Sequence, residues 1–441
     1  MRFLVLAVMC VACGDNTARD VPFDAVSGTR LRVERYMFDD GTSLPGGPGF
    51  FDADLHVRCT SQPYVDGSVR CVPDAEDALF SDAACTTAFG RGLLITDPTY
   101  FVGHDVVSGA ALPSHVYRAG NSMTAPSQYY QRIDDACAGP FFAAPEFTYY
   151  QVTSELDVVE LHDTTIGDGR LKLRTRTSTD GAITPLALFD SALAVDCEPT
   201  ERGGTAVCEP VYAPVATLFA DATCEQPAVA ISASESDQPQ PLVAQVESDD
   251  CPTYHTFGPE LTTTVYRLDR NACVPISRGT LLHYYALADE ATLAPIDRSV
   301  EASPHRLQRI IAATDDIAAY GTRLVDNAIR GECARVMVGE VERCLPTSTI
   351  VATDLYAAGC SQRVRVTDVP VRSCTPPAFA FTVGDAGTVS AIGELTTQPV
   401  YRFADDGVCR LYTPPADRQL RTLGPPLPDT TFLAARRYGE R

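Results

Sequence analysis

Carboxylates are the side chains that offer the most chemistry in this 441-residue sequence. Glycosidases and polysaccharide lyases on β folds use a pair of carboxylates, or one carboxylate with a tyrosine. Three aspartates, Asp52, Asp190 and Asp326, each lie seven residues before a cysteine. Because an aspartate beside a turn accepts hydrogen bonds from nearby backbone amides, we predict that these three cap turns. We predict no catalytic residue from the sequence.

Metal and cofactor sites have little support in the sequence. Asp39-Asp40-Gly41 and Asp52-Ala53-Asp54 offer oxygen ligands to calcium, but neither matches a calcium-binding loop. The seven histidines include no i, i+4 pair and no His-x-His, so a zinc site is not predicted. The motifs of serine hydrolases, phosphate-binding loops and dinucleotide-binding turns do not occur. We therefore predict neither a metal nor a cofactor.

Four arginines beside tyrosines offer a different chemistry, the binding of anionic sugars. They are Arg118, Arg132, Arg267 and Arg402. In the alternative interpretation, such arginines pair with neighbouring acids or cover apolar surface with their side-chain stems. The sequence leaves both interpretations open.

Cysteines provide the most informative spacing. Fourteen follow position 13, and a set of three recurs with a period of about 136 residues. In an exported chain such cysteines form disulfides, whereas in the cytosol they would suggest metal sites. The second cysteine of each set begins a Cys-x-Pro motif. The sets are Cys59, Cys71 and Cys85; Cys197, Cys208 and Cys224; and Cys333, Cys344 and Cys360.

Two disulfide connectivities fit this spacing. The first pairs Cys59 with Cys71, Cys85 with Cys137, Cys197 with Cys208, Cys224 with Cys273, Cys333 with Cys344 and Cys360 with Cys409, and leaves Cys251 and Cys374 over. The second pairs Cys224 with Cys251 and Cys360 with Cys374, and leaves Cys273 and Cys409 free. Hairpin bridges of this loop size stabilise a protein by about 2 to 3 kcal/mol each, so we predict a structural role.

Other residues repeat in register with the cysteines. An Arg-Leu pair precedes an aspartate by ten residues three times: Arg30-Leu31 before Asp40, Arg170-Leu171 before Asp180, and Arg306-Leu307 before Asp316. Self-similarity at a fixed period indicates a repeat architecture. We predict three β repeats, at residues 29–168, 169–304 and 305–441.

Each repeat is predicted to consist of β-strands. Short segments of alternating polarity, such as residues 31–36 and 54–58, are bounded by glycine or proline, and no long stretch has helical periodicity. An apolar strand followed by an acidic turn and a cysteine occurs twice per repeat, which suggests six sheets. Six four-stranded sheets arranged radially would close as a β-propeller-like ring. The alternative all-β arrangement is three tandem β-sandwich domains.

The first residues predict the compartment. Arg2 and the apolar run at residues 3–9 indicate a signal peptide, and the run is too short to span a bilayer. Ala12-Cys13-Gly14 resembles the lipobox of bacterial lipoproteins, which implies that Cys13 carries the lipid, and Gly14 favours the outer membrane. We predict a signal peptide at 1–12 and a lipid-attached polar tether at 13–28, with the protein facing the periplasm or the exterior. The alternative is ordinary secretion after cleavage near the same place.

A family resemblance follows from these motifs together. The lipobox, Arg-Leu, Asp-Gly, Cys-x-Pro and Leu-Phe-x-Asp-Ala-x-Cys elements resemble those of repeat lipoproteins of myxobacteria, a family without assigned activity. The resemblance covers all three repeats and carries over no catalytic residue. The third repeat departs from the pattern, because it lacks the glycine after Asp316 and one residue before Cys360.

Composition restricts the partners and the function. The formal charge is −22, so nucleic acid and anionic lipid surfaces are poor partners. No later stretch approaches 18 consecutive apolar residues, so we predict membrane contact through the lipid at Cys13. Because the repeated motifs look structural, we predict a non-enzymatic scaffold that binds a surface polysaccharide or protein. The alternative is an extracytoplasmic carbohydrate-active enzyme with paired carboxylates, and no oligomeric state is predicted.

Overall fold

The computed structural model describes residues 22–93, 98–107, 110–133, 136–232, 243–246, 252–269, 272–279, 282–314, 316–371, 376–382, 388–404, 406–415 and 417–439. These residues form thirty-six β-strands and two short 3₁₀ turns, Ala358–Cys360 and Asp429–Thr431, and no α-helix. The predicted all-β class is therefore confirmed.

The strands fall into three consecutive groups of twelve, which we call segments 1, 2 and 3. Segment 1 contains β1 (Leu31–Phe38), β2 (Ser43–Asp52), β3 (Val57–Pro63), β4 (Val69–Pro73), β5 (Glu76–Phe80), β6 (Ala88–Leu93), β7 (Tyr100–Val107), β8 (Ala110–Met123), β9 (Gln128–Ile133), β10 (Ala136–Phe142), β11 (Phe147–Glu155) and β12 (Glu160–Ile166). Segment 2 contains β13 (Leu171–Ser178), β14 (Ile183–Asp190), β15 (Val195–Arg202), β16 (Thr205–Pro210), β17 (Leu218–Phe219), β18 (Pro227–Ser232), β19 (Val243–Val246), β20 (Thr253–Glu260), β21 (Val265–Asp269), β22 (Ala272–Ile276), β23 (Leu282–Glu290) and β24 (Asp297–Val300). Segment 3 contains β25 (Leu307–Ala313), β26 (Ala318–Asp326), β27 (Gly331–Val338), β28 (Val341–Pro346), β29 (Thr349–Val351), β30 (Val366–Pro370), β31 (Phe379–Thr382), β32 (Thr388–Leu395), β33 (Val400–Phe403), β34 (Cys409–Tyr412), β35 (Arg418–Pro426) and β36 (Ala434–Gly439).

The largest sheet takes strands from all three segments. Its order is β16-β15-β14-β13-β12-β4-β3-β2-β1-β36-β28-β27-β26-β25-β24, and all neighbours are antiparallel. The two end strands also meet, because Val207 of β16 forms an antiparallel bridge with Pro295, just before β24. Beside this bridge, the Cys208 N–H donates to the Ala294 carbonyl at 2.9 Å. The fifteen strands therefore form a closed ring.

An odd number of antiparallel strands cannot alternate around a simple barrel. The strands of the ring instead curl around three apolar cores, each of which combines one segment with the first hairpin of a neighbour. Phe38 of segment 1 packs in a core with Leu307 and Leu324 of segment 3. Ala182 of segment 2 belongs to the core of segment 1, and Ala319 of segment 3 belongs to the core of segment 2. The three segments therefore interlock in a cycle.

The first strand shows how local sequence produces this interlock. Leu31 and Val33 of β1 face the core of segment 1, whereas Tyr36 and Phe38 face the core of segment 3. The core-facing side chains of β1 change from odd to even residue numbers after a register shift between Val33 and Arg35. An irregularity of this kind bends a strand and re-aims the side chains that follow it. The first hairpins of segments 2 and 3 have a register shift at the corresponding place.

Outside the ring the three segments differ. Segment 1 forms a seven-stranded outer sheet in the order β10-β9-β5-β6-β11-β8-β7. Segment 2 forms a seven-stranded sheet in the order β19-β20-β23-β18-β17-β21-β22. Segment 3 forms a five-stranded sheet in the order β29-β31-β32-β35-β30, together with a separate β33–β34 pair. The ring strands correspond closely between segments, and the outer strands correspond less.

Six disulfides join cysteines within the described residues. Three lie in ring hairpins, Cys59–Cys71, Cys197–Cys208 and Cys333–Cys344, and three lie in outer strands and loops, Cys85–Cys137, Cys224–Cys273 and Cys360–Cys409. These pairs coincide with the first of the two connectivities. Cys251, Cys374 and the predicted lipidation residue Cys13 lie outside the described residues.

The strand order differs from both arrangements predicted for the all-β fold. The strands do not form six separate four-stranded blades, because fifteen of them belong to one sheet. Nor are the segments independent sandwiches, since β12, β24 and β36 each pair across a segment boundary. Alternating polarity predicts that a stretch is a strand, but it does not predict which distant strand lies next to it.

Candidate functional site

The three aspartates that precede the ring cysteines are buried and ion-paired. Asp52 receives hydrogen bonds from Nε and Nη2 of Arg30 at 3.0 and 2.7 Å. Its Oδ1 also accepts the backbone N–H groups of Asp54 and Leu55 at 3.0 and 3.1 Å, which confirms the predicted turn cap. The corresponding pairs are Arg170–Asp190 and Arg306–Asp326.

The arginine of each pair also donates a hydrogen bond to a backbone carbonyl in the stretch where the chain leaves the outer sheet and re-enters the ring. Arg30 donates to the Asp157 carbonyl at 2.9 Å, and its hydrogen bond to Asp52 is the main cause of its raised pKa. The equivalent acceptors are the carbonyls of Thr292 for Arg170 and Thr431 for Arg306. These arginines are the first residues of the three Arg-Leu pairs, so the sequence contained the signal for their role. All three aspartates are occupied by structural contacts.

The aspartates ten residues after the Arg-Leu pairs connect neighbouring segments. Asp180 Oδ2 in segment 2 accepts the backbone N–H groups of Arg30 and Leu31 at 2.5 and 2.7 Å. The corresponding contacts run from the Gly169 N–H to Asp316 at 2.9 Å and from the Leu307 N–H to Asp40 at 2.7 Å. We call Asp40, Asp180 and Asp316 the cross-segment aspartates. Together they link segment 1 to 3, segment 3 to 2 and segment 2 to 1.

Hydrogen bonding stabilises the charged form of these aspartates. Burial opposes the ionisation of Asp180, but hydrogen bonds from the Ser178 hydroxyl and from backbone N–H groups outweigh it and lower the pKa. For Asp316, the backbone N–H of Gly169 is the main cause of the lowered pKa. Within the described residues, no group of three or more histidine, cysteine, aspartate or glutamate side chains is placed to hold a metal ion.

Three junctions in the ring share their backbone pairing but differ in side chains. In each, the first strand of one segment lies beside a connecting strand, and the paired residues are Tyr36 with Arg437, Arg176 with Asp163, and Ala312 with Arg298. Each junction also borders a ring hairpin with a disulfide. The residues paired with the second cysteine of that hairpin are, in the same order, Arg335, Ser61 and Pro199. We call these the Tyr36, Arg176 and Ala312 junctions.

The Tyr36 junction holds a polar cluster at positions that carry other residue types in the other two junctions. The Ala312 junction has a polar cluster of its own at different positions, formed by Tyr320, Arg309 and Glu301. Tyr36 is 3% exposed, and the Cζ atoms of Arg335 and Arg437 lie 3.4 and 5.0 Å from its ring centroid. The tyrosine hydroxyl donates to Glu342 Oε1 at 3.2 Å and accepts a hydrogen bond from Arg437. Arg335 Nη1 pairs with Glu342 Oε2 at 3.2 Å. We call Tyr36, Arg335, Glu342 and Arg437 the Tyr36 cluster.

A buried carboxylate extends this cluster. Glu34 is 3% exposed, and Arg58 Nε lies 2.8 Å from its Oε1. Arg437 Nη1 lies 3.9 Å from Glu34 Oε2, between this carboxylate and the Tyr36 hydroxyl. A buried charge is tolerated when it is paired and hydrogen-bonded, as Glu34 is here.

Two clefts of about 740 Å³ each border the β27–β28 hairpin, and we call them the hairpin clefts. The first lies along β28 and β36 and includes Tyr36, Glu342 and Arg437. The second lies between segments 2 and 3 and includes Arg335. Because Arg335 lines one cleft and Glu342 lines the other, their ion pair joins the two.

The second cleft carries further ion pairs. Arg202 Nη2 lies 2.6 Å from Glu209 Oε1, which also accepts the Tyr254 hydroxyl at 3.2 Å. Burial raises the pKa of Tyr254, and the neighbouring Glu209 adds to this effect. Arg323 Nη2 lies 3.2 Å from Glu198 Oε2. The wall of the second cleft therefore carries both hydrogen-bond donors and acceptors.

The four arginines singled out beside tyrosines lie in the outer strands, not in the hairpin clefts. Arg118 lies over the Tyr100 ring at 5.7 Å and Arg402 over the Tyr412 ring at 5.0 Å. Arg132 pairs with Asp105, and Arg267 is an exposed residue of β21. Sequence reasoning missed the Tyr36 cluster, because its members come from positions 36, 335, 342 and 437 and share no motif.

Comparisons with known proteins add a family and no activity. The sequence profile of a family of unknown function, DUF7481, matches residues 4–432. No curated protein and no solved structure matches the chain. Within the described residues, no helix has the length and apolar character needed to cross a membrane.

Proposed function

The chain belongs to the family of unknown function DUF7481, and we propose its function on physical grounds. In this proposal, it is a lipid-anchored protein of the cell envelope that binds an envelope polysaccharide in the hairpin clefts. The anchor is the lipid on Cys13, and the protein acts as a binding scaffold without catalysis. The ring with its disulfides holds the clefts rigid, and the residues that line the clefts contact the ligand.

The compartment is supported by the disulfides. Six bridges within the described residues suit an oxidising compartment, because cytosolic thiols are kept reduced. The lipobox-like Ala12-Cys13-Gly14 supports the proposed location at the outer membrane. The tether predicted at residues 13–28 is too long, because the Phe23 N–H donates to the Ala318 carbonyl at 2.7 Å and the Val26 N–H to the Ile183 carbonyl at 2.8 Å, both in ring strands. In this proposal the tether is residues 13–21, which lie outside the described residues.

One observation carries the binding proposal. Three junctions have the same backbone register, yet only the Tyr36 junction has a tyrosine, two arginines and a glutamate at the four equivalent positions. The ring does not require these residue types at these positions. The Ala312 junction has Ala312 and Arg298 there, and it places its own tyrosine, arginine and glutamate (Tyr320, Arg309 and Glu301) elsewhere. The cluster also borders both hairpin clefts. Because these residue types do not repeat at the equivalent positions, we assign them to ligand binding.

Binding is tested with the folded, disulfide-bonded protein immobilised and exposed to polysaccharide fractions of the cell envelope. We expect wild type to retain one fraction without releasing reducing ends. Arg323→Gln in the second cleft should weaken retention about tenfold, equivalent to about 1.4 kcal/mol. The matched control is Arg363→Gln, which removes an exposed outer arginine paired with Asp354 at 2.7 Å. Retention of no fraction by wild type, or equal losses in both variants, would refute the proposal.

The anchor is tested by metabolic labelling with a tagged fatty acid. We expect label on the wild-type protein and none on Cys13→Ala, with Cys10→Ala as the matched control that keeps its label. Label on Cys13→Ala, or none on wild type, would show that the protein is not anchored in this way.

A further inference from the structure

We propose that the ligand of the hairpin clefts is a neutral, polyhydroxylated polymer, a polysaccharide without charged groups. This inference rests on the proposed function and narrows its ligand class. It follows from the charge balance of the two clefts, from the ion pairs of the arginines in the second cleft and from the apolar side chains in both clefts.

Charges balance within each cleft although the whole chain carries −22. The first cleft is lined by three acids and three arginines, which are Asp39, Glu340, Glu342, Arg343, Arg436 and Arg437. The second is lined by three acids and three arginines as well, which are Glu198, Glu201, Glu209, Arg202, Arg323 and Arg335. A site for a polyanion concentrates unpaired cations, whereas these clefts have no net charge.

The arginines of the second cleft are already paired with carboxylates. Arg202 is held by Glu209, Arg323 by Glu198, and Arg335 by Glu342. An anionic ligand would have to displace these carboxylates, which would leave them unpaired beside the ligand's own charge. A sugar hydroxyl both donates and accepts, so it can bridge an arginine and a glutamate without breaking their pair. The paired groups therefore favour a neutral ligand.

Exposed apolar side chains complete the match to sugar rings. Met337 in the first cleft is 51% exposed, and Val351 in the second is 65% exposed. The ring C–H groups of a sugar are apolar, and burying them against such side chains contributes on the order of 25 cal/mol per Å². At long range, the net negative charge of the protein repels a polyanion and leaves a neutral polymer unaffected.

The experiment compares neutral, anionic and cationic polysaccharides on wild type at low and high salt. We expect wild type to bind a neutral glycan with a Kd that changes less than about twofold between 20 and 500 mM salt, because no counterion is displaced. Binding of an anionic or cationic glycan in preference, with strong salt dependence, would overturn this inference and leave the proposed function standing. Failure to bind any glycan or envelope fraction would refute the proposed function itself.

A variant sharpens the result. Glu342→Gln keeps an acceptor for the Tyr36 hydroxyl but releases Arg335 from its ion pair. We expect this variant to gain affinity for anionic glycans by about fivefold or more, in line with about 1 kcal/mol for an unpaired cation. Asp354→Asn, which releases the exposed Arg363 in the same way, is the matched control and should gain nothing. Equal anionic binding by wild type and Glu342→Gln would contradict the idea that pairing excludes anions.

Discussion

The Tyr36 and Arg176 junctions of the ring have the same backbone arrangement and different side chains at the equivalent positions. In the Arg176 junction, Asp163 forms an ion pair with Arg176. Ser61 and Val69 lie at the positions that Arg335 and Glu342 occupy in the Tyr36 junction. In the Tyr36 junction the same positions hold a tyrosine between two arginines and a glutamate.

This difference separates structural residues from candidate binding residues. The Arg–Asp pairs, the cross-segment aspartates and the ring disulfides occur in all three segments, so they are explained by the fold. The residue types of the Tyr36 cluster occur at these positions in one junction of the three, so they are not a repeated feature of the ring. Substitutions of the repeated residues should lower stability to a similar extent in all three segments. Substitutions at the positions of the Tyr36 cluster should have different effects in the three junctions.

We expect the largest loss of stability when a buried ring aspartate is removed. Asp326→Ala leaves the Arg306 guanidinium without its carboxylate, in a site where Asp326 is fully buried. We expect the free energy of unfolding to fall by about 3–5 kcal/mol. Urea unfolding monitored by circular dichroism measures it, and Asp52→Ala and Asp190→Ala should give losses of the same size.

Asp54→Ala is the matched control for these three variants. Its side chain is 72% exposed and lies 3.7 Å from Arg30, so its loss should cost less than about 0.5 kcal/mol. If one of the three buried aspartates proved dispensable, the structural equivalence of the segments would be wrong for that pair.

The next effect concerns the contacts between segments. Asp180→Asn weakens the hydrogen bonds that the backbone of Arg30 and Leu31 donates, and should cost about 1–2 kcal/mol at pH 7. Because the folded-state pKa of Asp180 is lowered, its stabilisation is present above the unfolded pKa of about 4 and is lost as the pH falls through the folded pKa. Urea unfolding from pH 7 to pH 2 should therefore show a smaller decline for Asp180→Asn than for wild type.

Asp66→Asn serves as the control for the cross-segment contact. Asp66 also has a lowered pKa, mainly from the hydroxyl of Ser68, but it accepts hydrogen bonds from within its own turn. We expect a much smaller loss at pH 7. Equal losses in both variants would mean that Asp180 stabilises only its own turn.

A smaller effect distinguishes the two junctions directly. Tyr36→Phe removes the hydroxyl that donates to Glu342 and should cost about 1 kcal/mol in stability. Since this change loosens the ion pair that joins the hairpin clefts, we also expect weaker polysaccharide binding. Arg176→Gln at the other junction removes a pair with Asp163 at 2.6 Å, and binding should not change. Weaker binding in both variants would place the ligand elsewhere on the ring.

Spacing in the sequence predicted contacts that are local or repeated, and failed for the rest. The Cys59–Cys71 bridge and the Asp52 turn cap were predictable, because each joins residues within one hairpin or one turn. The ring was not predictable, since β4 pairs with β12, as in Arg70 with Glu160, and nothing in either strand specifies so distant a partner. The Tyr36 cluster combines side chains from segments 1 and 3, and its positions carry other residue types in the other junctions.

The smallest expected effect compares the disulfide loops of the outer strands. Asp82 accepts the backbone N–H of Thr87 at 2.7 Å, and such bonds lower its pKa to about 2. Asp221 accepts the Gln226 N–H at 2.6 Å, and hydrogen bonds from Thr223 and the loop backbone lower its pKa to about 2. The corresponding loop of segment 3 has Ala357-Ala358-Gly359 before Cys360 and no aspartate.

These loops should therefore differ in their response to acid. The stabilisation from Asp82 and Asp221 is present above about pH 4, the ordinary aspartate pKa, and is lost as the pH falls through about 2. Amide hydrogen exchange, corrected for its intrinsic pH dependence, should show Thr87 and Gln226 losing protection over this range. Asp82→Asn should remove the acid response at Thr87 alone, with Gln226 as an internal control. An equal acid response in the loop before Cys360 would mean that the aspartates are not its cause.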